Sequence, residues 1–262
     1  MTRAAAGRAS NERGRASHER THLPAGYMEN SSRPLASLLI VLPALILYEL
    51  GTRYFTTAAL HGREQHIIAF SKLQQFFRLF GATGRHLPAL AVVATLLSWH
   101  IARSDRWRVK FSTLAGMGFE SLLLSLPIFF FSYIVARYYP LMGAESALFP
   151  RHLRDMMIMS LGAGVYEEFI FRLALFSLLS LLFKDVLKLN SQFTLLLMVL
   201  SSAGLFAAYH YLDPTQTFSG QVFAFRMVAG IYFGIVFLSR GFGITATSHS
   251  IYDIIISLLQ ST

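Results

Sequence analysis

The chain has 262 residues, of which 54% are hydrophobic and only 14% are charged. Soluble domains carry about 25% charged residues, so this composition excludes an ordinary soluble globular protein and predicts the lipid bilayer as solvent. The formal net charge of +9 does not indicate nucleic-acid binding, because most Lys and Arg lie between apolar segments, as is typical of residues that face anionic lipid headgroups.

The first 33 residues are rich in Arg, Ala, Gly, Ser and Glu and contain no apolar stretch longer than a few residues. Such a segment cannot bury enough apolar area to offset its ordering entropy, so we expect a disordered basic arm over residues 1–33. The arm also lacks the apolar core of a signal peptide. Residues 34–262 then form a single multi-pass transmembrane domain, with room for six to eight spans of about 20 residues.

Seven apolar segments follow the arm, and each is a candidate transmembrane helix. They lie at about 35–50, 87–102, 111–136, 156–183, 194–209, 221–238 and 244–259. Residues 66–80 are apolar on one side only and are interrupted by Lys72, Gln74, Gln75 and Arg78, which is typical of a helix in the membrane interface. An eighth span is the alternative. The prediction is therefore an all-α, polytopic integral membrane protein with seven or eight transmembrane helices.

The basic residues indicate an orientation in the membrane. With seven spans and a cytoplasmic amino terminus, the six arginines of the arm and the basic residues of 103–110 lie inside, as do Lys184, Lys188 and Arg240. The five basic residues between positions 53 and 85 then lie outside and argue against this orientation. If the protein is prokaryotic, the expected location is the cytoplasmic (inner) membrane.

The fourth apolar segment carries three ionisable residues near the depth of the bilayer midplane: Glu167, Glu168 and Arg172. Placing each such group at the centre of a membrane helix costs at least about 2.5 kcal/mol, so three together need polar partners or a functional role. Glu168 and Arg172 are four residues apart on one helix face and can neutralise one another, which on its own could serve only to lock helices together. Glu167 lies about 100° around the helix and must face another polar group or water.

Two later segments add further polar groups in apolar surroundings. His210 ends the segment that contains Phe206, and His249 with Asp253 begins the last one. The spacing of four allows Asp253 to accept a hydrogen bond from His249, which could also be a structural bridge. Together the three segments offer groups suited to activating water and stabilising an oxyanion, and no phosphate-binding loop is present, so hydrolysis is the simplest interpretation.

The sequence gives weaker support to other hydrolytic mechanisms. A cysteine nucleophile is excluded because the chain has no cysteine. Serines occur near the histidines, but none lies in a G-x-S-x-G elbow or shares a helix face with a histidine; they include Ser201, Ser202, Ser248 and Ser250. Zinc bound by Glu167, His210 and His249 is the minority alternative, since no H-E-x-x-H motif or certain third ligand is present. We therefore expect no cofactor.

The three stretches, in this order, resemble the CPBP family, which includes the CAAX endopeptidases that trim prenylated proteins and prokaryotic relatives linked to bacteriocin processing and self-immunity. The family pattern is E-E-x-x-x-R, then F-x-x-x-H, then H-x-x-x-N or H-x-x-x-D. Here it reads Glu167, Glu168, Arg172; Phe206, His210; His249, Asp253. Residues 230–243 also look like the penultimate helix and glycine-containing turn of that family. The resemblance covers about 90 residues, and the first 150 residues resemble no family that we can name.

The resemblance implies roles for these residues. Glu167 would be the general base that activates water, assisted by His210, while Glu168 and Arg172 would hold the site in shape. His249 and Asp253 would line the oxyanion side. Many family members have Asn at the last position, whereas an ionised Asp253 cannot donate a hydrogen bond, so we expect it to orient His249 instead.

One geometric requirement follows from counting residues. If residues 221–238 cross the membrane fully, His210 lies near one face and His249 only about 8 Å in from the other, so a single site needs a tilted, bent or partly crossing helix.

With such a site, the chain is predicted to be an intramembrane endopeptidase acting on a membrane-tethered or membrane-inserted polypeptide. The rival from another class is a non-catalytic immunity protein or a proton-coupled transporter that uses the same carboxylates.

Overall fold

The computed structural model describes residues 26–62, 65–138, 152–213 and 216–260. Within these ranges every regular element is helical, which confirms the predicted all-α class. Most of the predicted arm, residues 1–25, lies outside the described part. The α-helices in chain order are α1 (Tyr27–Ser31), α2 (Pro34–Tyr54), α3 (Thr57–Leu60), α4 (Ile68–Leu79), α5 (Leu87–Arg103), α6 (Phe111–Tyr138), α7 (Leu153–Glu168), α8 (Leu175–Ser180), α9 (Ser191–Tyr209), α10 (Gly220–Arg240) and α11 (Phe242–Gln260).

The fourth predicted span is continuously helical, but it alternates between α-helix and π-helix along its length. Helix α7 passes directly into a π-helical segment, Phe169–Ala174, then into α8, and then into a second π-helical segment, Leu181–Val186. In a π-helix the backbone hydrogen bonds connect residues five apart, and such segments often occur at functional sites. The carbonyl of Phe171, inside the first π segment, accepts a hydrogen bond of 2.8 Å from the Ser202 hydroxyl of α9. A neighbouring helix therefore supports the irregular backbone.

The helix lengths fit a multi-pass membrane protein. Five stretches in the described chain are long and apolar enough to cross a bilayer: Pro34–Tyr54, Phe111–Arg137, Ser191–Leu212, Gly220–Arg240 and Phe242–Leu259. Helix α5 is a shorter apolar helix. Helix α4 has 12 residues, or about 18 Å at 1.5 Å per residue, which is less than the roughly 30 Å of a hydrocarbon core. This length favours seven spans over eight.

Two glycines allow α7 to approach its neighbours closely. A Cβ atom on Gly164 would lie 2.1 Å from Oγ of Ser250 in α11, and one on Gly162 would lie 2.3 Å from the ring of Tyr48 in α2. Small residues permit such close backbone approach in membrane helices, where packing rather than hydrophobicity drives association. Helix α7 is therefore held between α2 and α11, which places Glu167 beside α11.

Helix α1 is tied to α6 and α10 by a group of four side chains that we name the polar clasp: Tyr27, Ser31, Glu120 and Arg240. Arg240 donates to both carboxylate oxygens of Glu120 and, at 3.1 Å, to the Ser31 hydroxyl. The Tyr27 hydroxyl donates to Glu120 at 2.6 Å. Burial, together with the Glu120 carboxylate, raises the pKa of Tyr27 to about 12, so this hydroxyl remains a donor at neutral pH.

The polar clasp corrects the predicted end of the basic arm. Residues Tyr27–Ser31 form a helix, and the Arg33 side chain is buried and forms an ion pair of 3.2 Å with Glu29. The ordered chain therefore begins no later than Tyr27, not after Arg33. Composition alone misplaced the boundary because the partners that stabilise α1, Glu120 and Arg240, are about 90 or more residues away in the sequence.

Truncation can measure what the polar clasp contributes. Removing residues 2–25 keeps the clasp, so we expect the melting temperature in detergent to equal that of the full-length protein. Removing residues 2–33 deletes two hydrogen bonds to charged groups, and each such bond contributes about 1.5–3 kcal/mol. The longer truncation should melt at a clearly lower temperature, as should full-length Tyr27→Phe to a smaller extent. Equal melting of both truncations would show that α1 does not stabilise the fold.

Candidate active site

The predicted ion pair between Glu168 and Arg172 is present and fully buried. Oε2 of Glu168 lies 3.1 Å from Nε of Arg172, and neither side chain has any solvent exposure. Arg172 also donates at 3.0 Å to the carbonyl of Gly230 in α10, and its guanidinium lies 4.7 Å from the ring centre of Phe206 in α9. The arginine thus contacts a carboxylate of α7, a carbonyl of α10 and an aromatic face of α9, and it connects three helices at this depth.

Glu167 has a different partner from Glu168, as the helical spacing requires. The hydroxyl of Tyr209, the last residue of α9, donates a hydrogen bond to Oε1 of Glu167. The Tyr209 ring is held by Phe171, whose ring centre is 4.9 Å away. Tyr209 was not singled out in the sequence, although it directly precedes His210. Its position at the buried end of an apolar helix was the available signal, because a buried tyrosine hydroxyl usually finds a partner.

His249 lies among three carboxylates. Its Nδ1 atom is 2.8 Å from Oε1 of Glu168, while Nε2 is 3.5 Å from Oδ2 of Asp253 and 3.9 Å from Oε2 of Glu167. The ring of Phe233 in α10 stacks on the imidazole, with 4.6 Å between ring centres and 18° between planes. The stacking and the Glu168 contact together fix the ring, so that Nε2 faces the other two carboxylates. Phe233 is a second residue that the sequence reasoning missed.

The His210 ring lies in the same region, packed against Phe206 and Tyr209. Its Nδ1 lies 2.8 Å from the carbonyl oxygen of Phe206. Because a carbonyl can only accept, Nδ1 donates, and Nε2 of the neutral ring carries the lone pair that can accept a proton. The Phe206 ring lies 5.0 Å from His210 and 6.2 Å from His249. Both histidines thus pack against one aromatic ring, and the depth mismatch expected from residue counting does not separate them.

The exposed fraction of the side chains increases across the cluster from Glu168 to Asp253. The side chains of Glu168 and Arg172 are completely buried, those of His249 and Glu167 are 6% and 8% exposed, and that of Asp253 is 26% exposed. The site is therefore closed behind Glu168 and open beside Asp253. Of these five side chains, that of Asp253 is the most accessible.

A comparison with known families matches the part of the chain that carries these residues. Residues 150–255 match the family described as Type II CAAX prenyl endopeptidase Rce1-like. We refer to residues 150–255 as the Rce1-like domain. The match confirms the family indicated by the three sequence motifs and the class of enzyme, a CAAX-type endopeptidase that hydrolyses peptide bonds. All seven motif residues lie inside the matched range. No curated protein and no solved structure matches the chain.

Two of the serines considered from the sequence donate their hydroxyls to backbone carbonyls. Ser202 donates to the carbonyl of Phe171, and Ser248 donates at 2.7 Å to the carbonyl of Ile244 in its own helix. Ser250 faces the backbone of Gly164 at the closest contact of α7 and α11. None of these three hydroxyls is placed against a histidine, so the geometry gives no support to a serine nucleophile.

The described part of the Rce1-like domain also contains no group of three His, Asp or Glu side chains arranged to hold a metal ion. Nδ1 of His249 is already directed to Glu168, and Nδ1 of His210 to a backbone carbonyl. These contacts leave Nε2 of each histidine as its second ring nitrogen, so the zinc alternative with Glu167, His210 and His249 stays a prediction to be tested.

A second polar cluster lies on the opposite side of α7 from the motif residues. Tyr166, the neighbour of Glu167, donates at 2.9 Å to Oε1 of Glu49 in α2, and Nδ1 of His86 lies 2.7 Å from the other oxygen of Glu49. Glu49 is therefore a largely buried carboxylate with a tyrosine and a histidine partner, as Glu167 is. Sequence reasoning did not single it out, because it stands alone in its apolar segment.

The contact between Tyr209 and Glu167 gives a direct test of the Rce1-like site. Replacing Tyr209 by Phe removes one hydrogen bond to the carboxylate, worth about 1.5–3 kcal/mol, and keeps the ring packed on Phe171. We expect the cleavage rate to fall about tenfold to a hundredfold, with an altered pH profile and a nearly unchanged melting temperature. Tyr166→Phe, which removes the matching hydroxyl from Glu49, is the control and should cleave normally. Equal rates for wild type and Tyr209→Phe would contradict a role for this hydroxyl.

Proposed function

We propose that the Rce1-like domain cleaves a membrane-tethered or membrane-inserted polypeptide with water activated by Glu167. The supporting observation is the unequal use of two adjacent glutamates. Glu168 is buried between Arg172 and His249, which both hold its oxygens. Glu167 accepts one hydrogen bond from Tyr209 and faces the open side of the cluster. Of the two glutamates, Glu167 is therefore the better placed to take a proton from a water molecule.

The side chains around Glu167 suit the remaining steps of peptide-bond hydrolysis. As Glu167 takes a proton, the water oxygen bonds to the scissile carbonyl carbon, and His210 can help to orient this water through Nε2. Negative charge then develops on the carbonyl oxygen, on the side lined by His249. The proton passes from Glu167 to the amide nitrogen, the carbon–nitrogen bond breaks, and a carboxylate and an amine are released.

Asp253 has the geometry of an orienting residue. It lies 3.5 Å from Nε2 of His249, and an ionised carboxylate can only accept. We therefore assign it to holding His249, as the sequence suggested, and not to donating to the oxyanion. Its exposed position beside the opening also places it next to an incoming polypeptide. Because the chain is a multi-pass membrane protein, the substrate that we propose is a polypeptide that itself resides in or on the bilayer.

Metal removal tests the mechanism against the zinc alternative. Protein purified in detergent without added metal, and then treated with a strong chelator, should cleave a prenylated CAAX-type peptide at the untreated rate, because the proposed site uses only side chains and water. The Glu167→Gln variant provides the background rate. Loss of cleavage after chelation, restored by stoichiometric zinc, would instead establish a metalloprotease. No cleavage by any form of the folded protein would favour the immunity or transporter alternatives.

A further inference from the structure

The short segment of residues 104–110 joins two apolar helices, α5 and α6, and α6 is long enough to cross a membrane. Large apolar side chains are exposed within the segment and beside it: Ile101 is 61%, Trp107 62% and Phe111 83% exposed. Such side chains are unfavourable in water and stable in the bilayer, and tryptophan is especially common at the membrane interface. The segment therefore lies at the depth of the lipid headgroups.

Basic side chains occupy alternate positions of this segment. Three of them, which we name the basic edge, are exposed: Arg106, Arg108 and Lys110. The two residues between them contact the protein. The ring of Trp107 packs edge-on against the completely buried His100, with 4.5 Å between ring centres, and Val109 packs against a buried apolar cluster formed by α2, α6, α10 and α11. These contacts hold the segment with its basic side chains outward.

The basic edge forms no ion pair with any residue that the structure describes. Asp105, the one acidic residue of the segment, is paired with Arg103 at 2.8 Å. The first turn of α6, which follows the segment, contains no acidic residue. Residues 1–25 carry five Arg and two Glu, so they add no net negative charge. The basic edge is therefore a surface of uncompensated positive charge, and it favours an anionic partner from outside the chain.

We propose that the basic edge binds the headgroups of anionic phospholipids in the leaflet that surrounds it. Arginine binds phosphate oxygens with two parallel hydrogen bonds, and basic residues beside a membrane-spanning helix attract anionic lipids. A phospholipid suits both kinds of surface, because its phosphate meets the basic edge while its acyl chains cover Ile101 and Phe111. A soluble acidic protein or a nucleic acid would leave these apolar side chains uncovered. The proposal concerns lipid binding and does not depend on the proposed cleavage mechanism.

Lipid retention by the full-length protein tests the basic edge. The protein is mixed in detergent with equal amounts of phosphatidylglycerol and phosphatidylcholine with identical acyl chains, and bound lipids are counted by native mass spectrometry. We expect wild type to retain phosphatidylglycerol preferentially. The variant Arg106→Gln/Arg108→Gln/Lys110→Gln should lose this preference by at least about fivefold, because three attractions to the anionic headgroup are removed.

A matched control separates the basic edge from the net charge of the protein. The variant Arg53→Gln/Arg137→Gln/Lys184→Gln removes three basic charges from exposed positions that are far apart in the sequence. It should retain phosphatidylglycerol like wild type. Melting temperatures confirm that each variant is folded.

Three results would overturn the proposal. The first is an unchanged lipid preference in the variant without the basic edge. The second is an equal loss in the control variant, which would indicate a general charge effect. The third is displacement of phosphatidylglycerol by glycerol phosphate or polyglutamate at equal concentration, which would show that the basic edge takes a soluble anion. If the triple variant unfolds, Arg106→Gln/Arg108→Gln gives the same comparison with two exposed residues.

Discussion

Replacing Glu167 by Gln should lower the cleavage rate about 10²–10⁴-fold and leave the fold intact, because that factor is the usual contribution of general acid-base catalysis. Glutamine keeps the size of the side chain and still offers an oxygen to the Tyr209 hydroxyl. It cannot take a proton from water at neutral pH. Cleavage rate and melting temperature, measured on the same preparation, separate loss of the base from loss of structure.

The chain provides a closely matched control for this substitution. Glu49, on the other side of α7, also accepts a tyrosine hydroxyl and also contacts a histidine. Glu49→Gln makes the same chemical change outside the motif cluster and should cleave at a rate near that of wild type. If Glu167→Gln cleaves normally, or if Glu49→Gln is equally inactive, Glu167 is not the base.

Replacing Glu168 by Gln should act mainly on stability. The change leaves Arg172 buried without its counter-charge and removes the carboxylate that holds Nδ1 of His249. Loss of one partner of a buried ion pair typically costs about 3–5 kcal/mol. We expect a marked fall in melting temperature, and lower activity in proportion to the folded fraction and to the loosening of His249. The measurement is thermal unfolding in detergent beside Glu167→Gln, which should unfold like wild type.

A double variant distinguishes an unpaired charge from a lost catalytic group. Glu168→Gln combined with Arg172→Met removes both charges, so it should unfold at a higher temperature than Glu168→Gln alone. A charge swap, Glu168→Arg with Arg172→Glu, is a poorer control, because it places an arginine against His249. If Glu168→Gln melts like wild type but is inert, while Glu167→Gln cleaves normally, the roles of the two glutamates are reversed.

Sequence reasoning recovered the parts of the site that depend on local geometry. The pair Glu168 and Arg172 and the pair His249 and Asp253 are each four residues apart, so helical periodicity alone brings their side chains together. The divergence of Glu167 from Glu168 followed from the same periodicity. Burial costs in the bilayer explain why such residues stood out, because few ionisable groups are tolerated there without partners.

The parts that were missed depend on contacts between distant segments. Tyr209 contacts Glu167, which is 42 residues away in the sequence, and Phe233 contacts His249, which is about 16 residues away. No local sequence pattern specifies either contact. The beginning of the ordered chain was misplaced for the same reason, since α1 is held by Glu120 and Arg240. The close contact of α7 with α11 at Gly164 could not be predicted either, because a glycine in an apolar segment does not indicate which helix packs against it.

The first π segment, Phe169–Ala174, makes the length of this helix as important as its composition. A π turn accommodates one more residue than an α turn over the same rise, so the segment behaves as a retained insertion. Deleting one residue would let it return to α geometry while the helix beyond it keeps its orientation, because the extra residue is contained within the turn. Arg172 lies inside the segment, so such a deletion would move its guanidinium relative to Glu168 and Gly230 with no other side chain altered. Natural variation in this stretch should therefore conserve residue number more strictly than residue type.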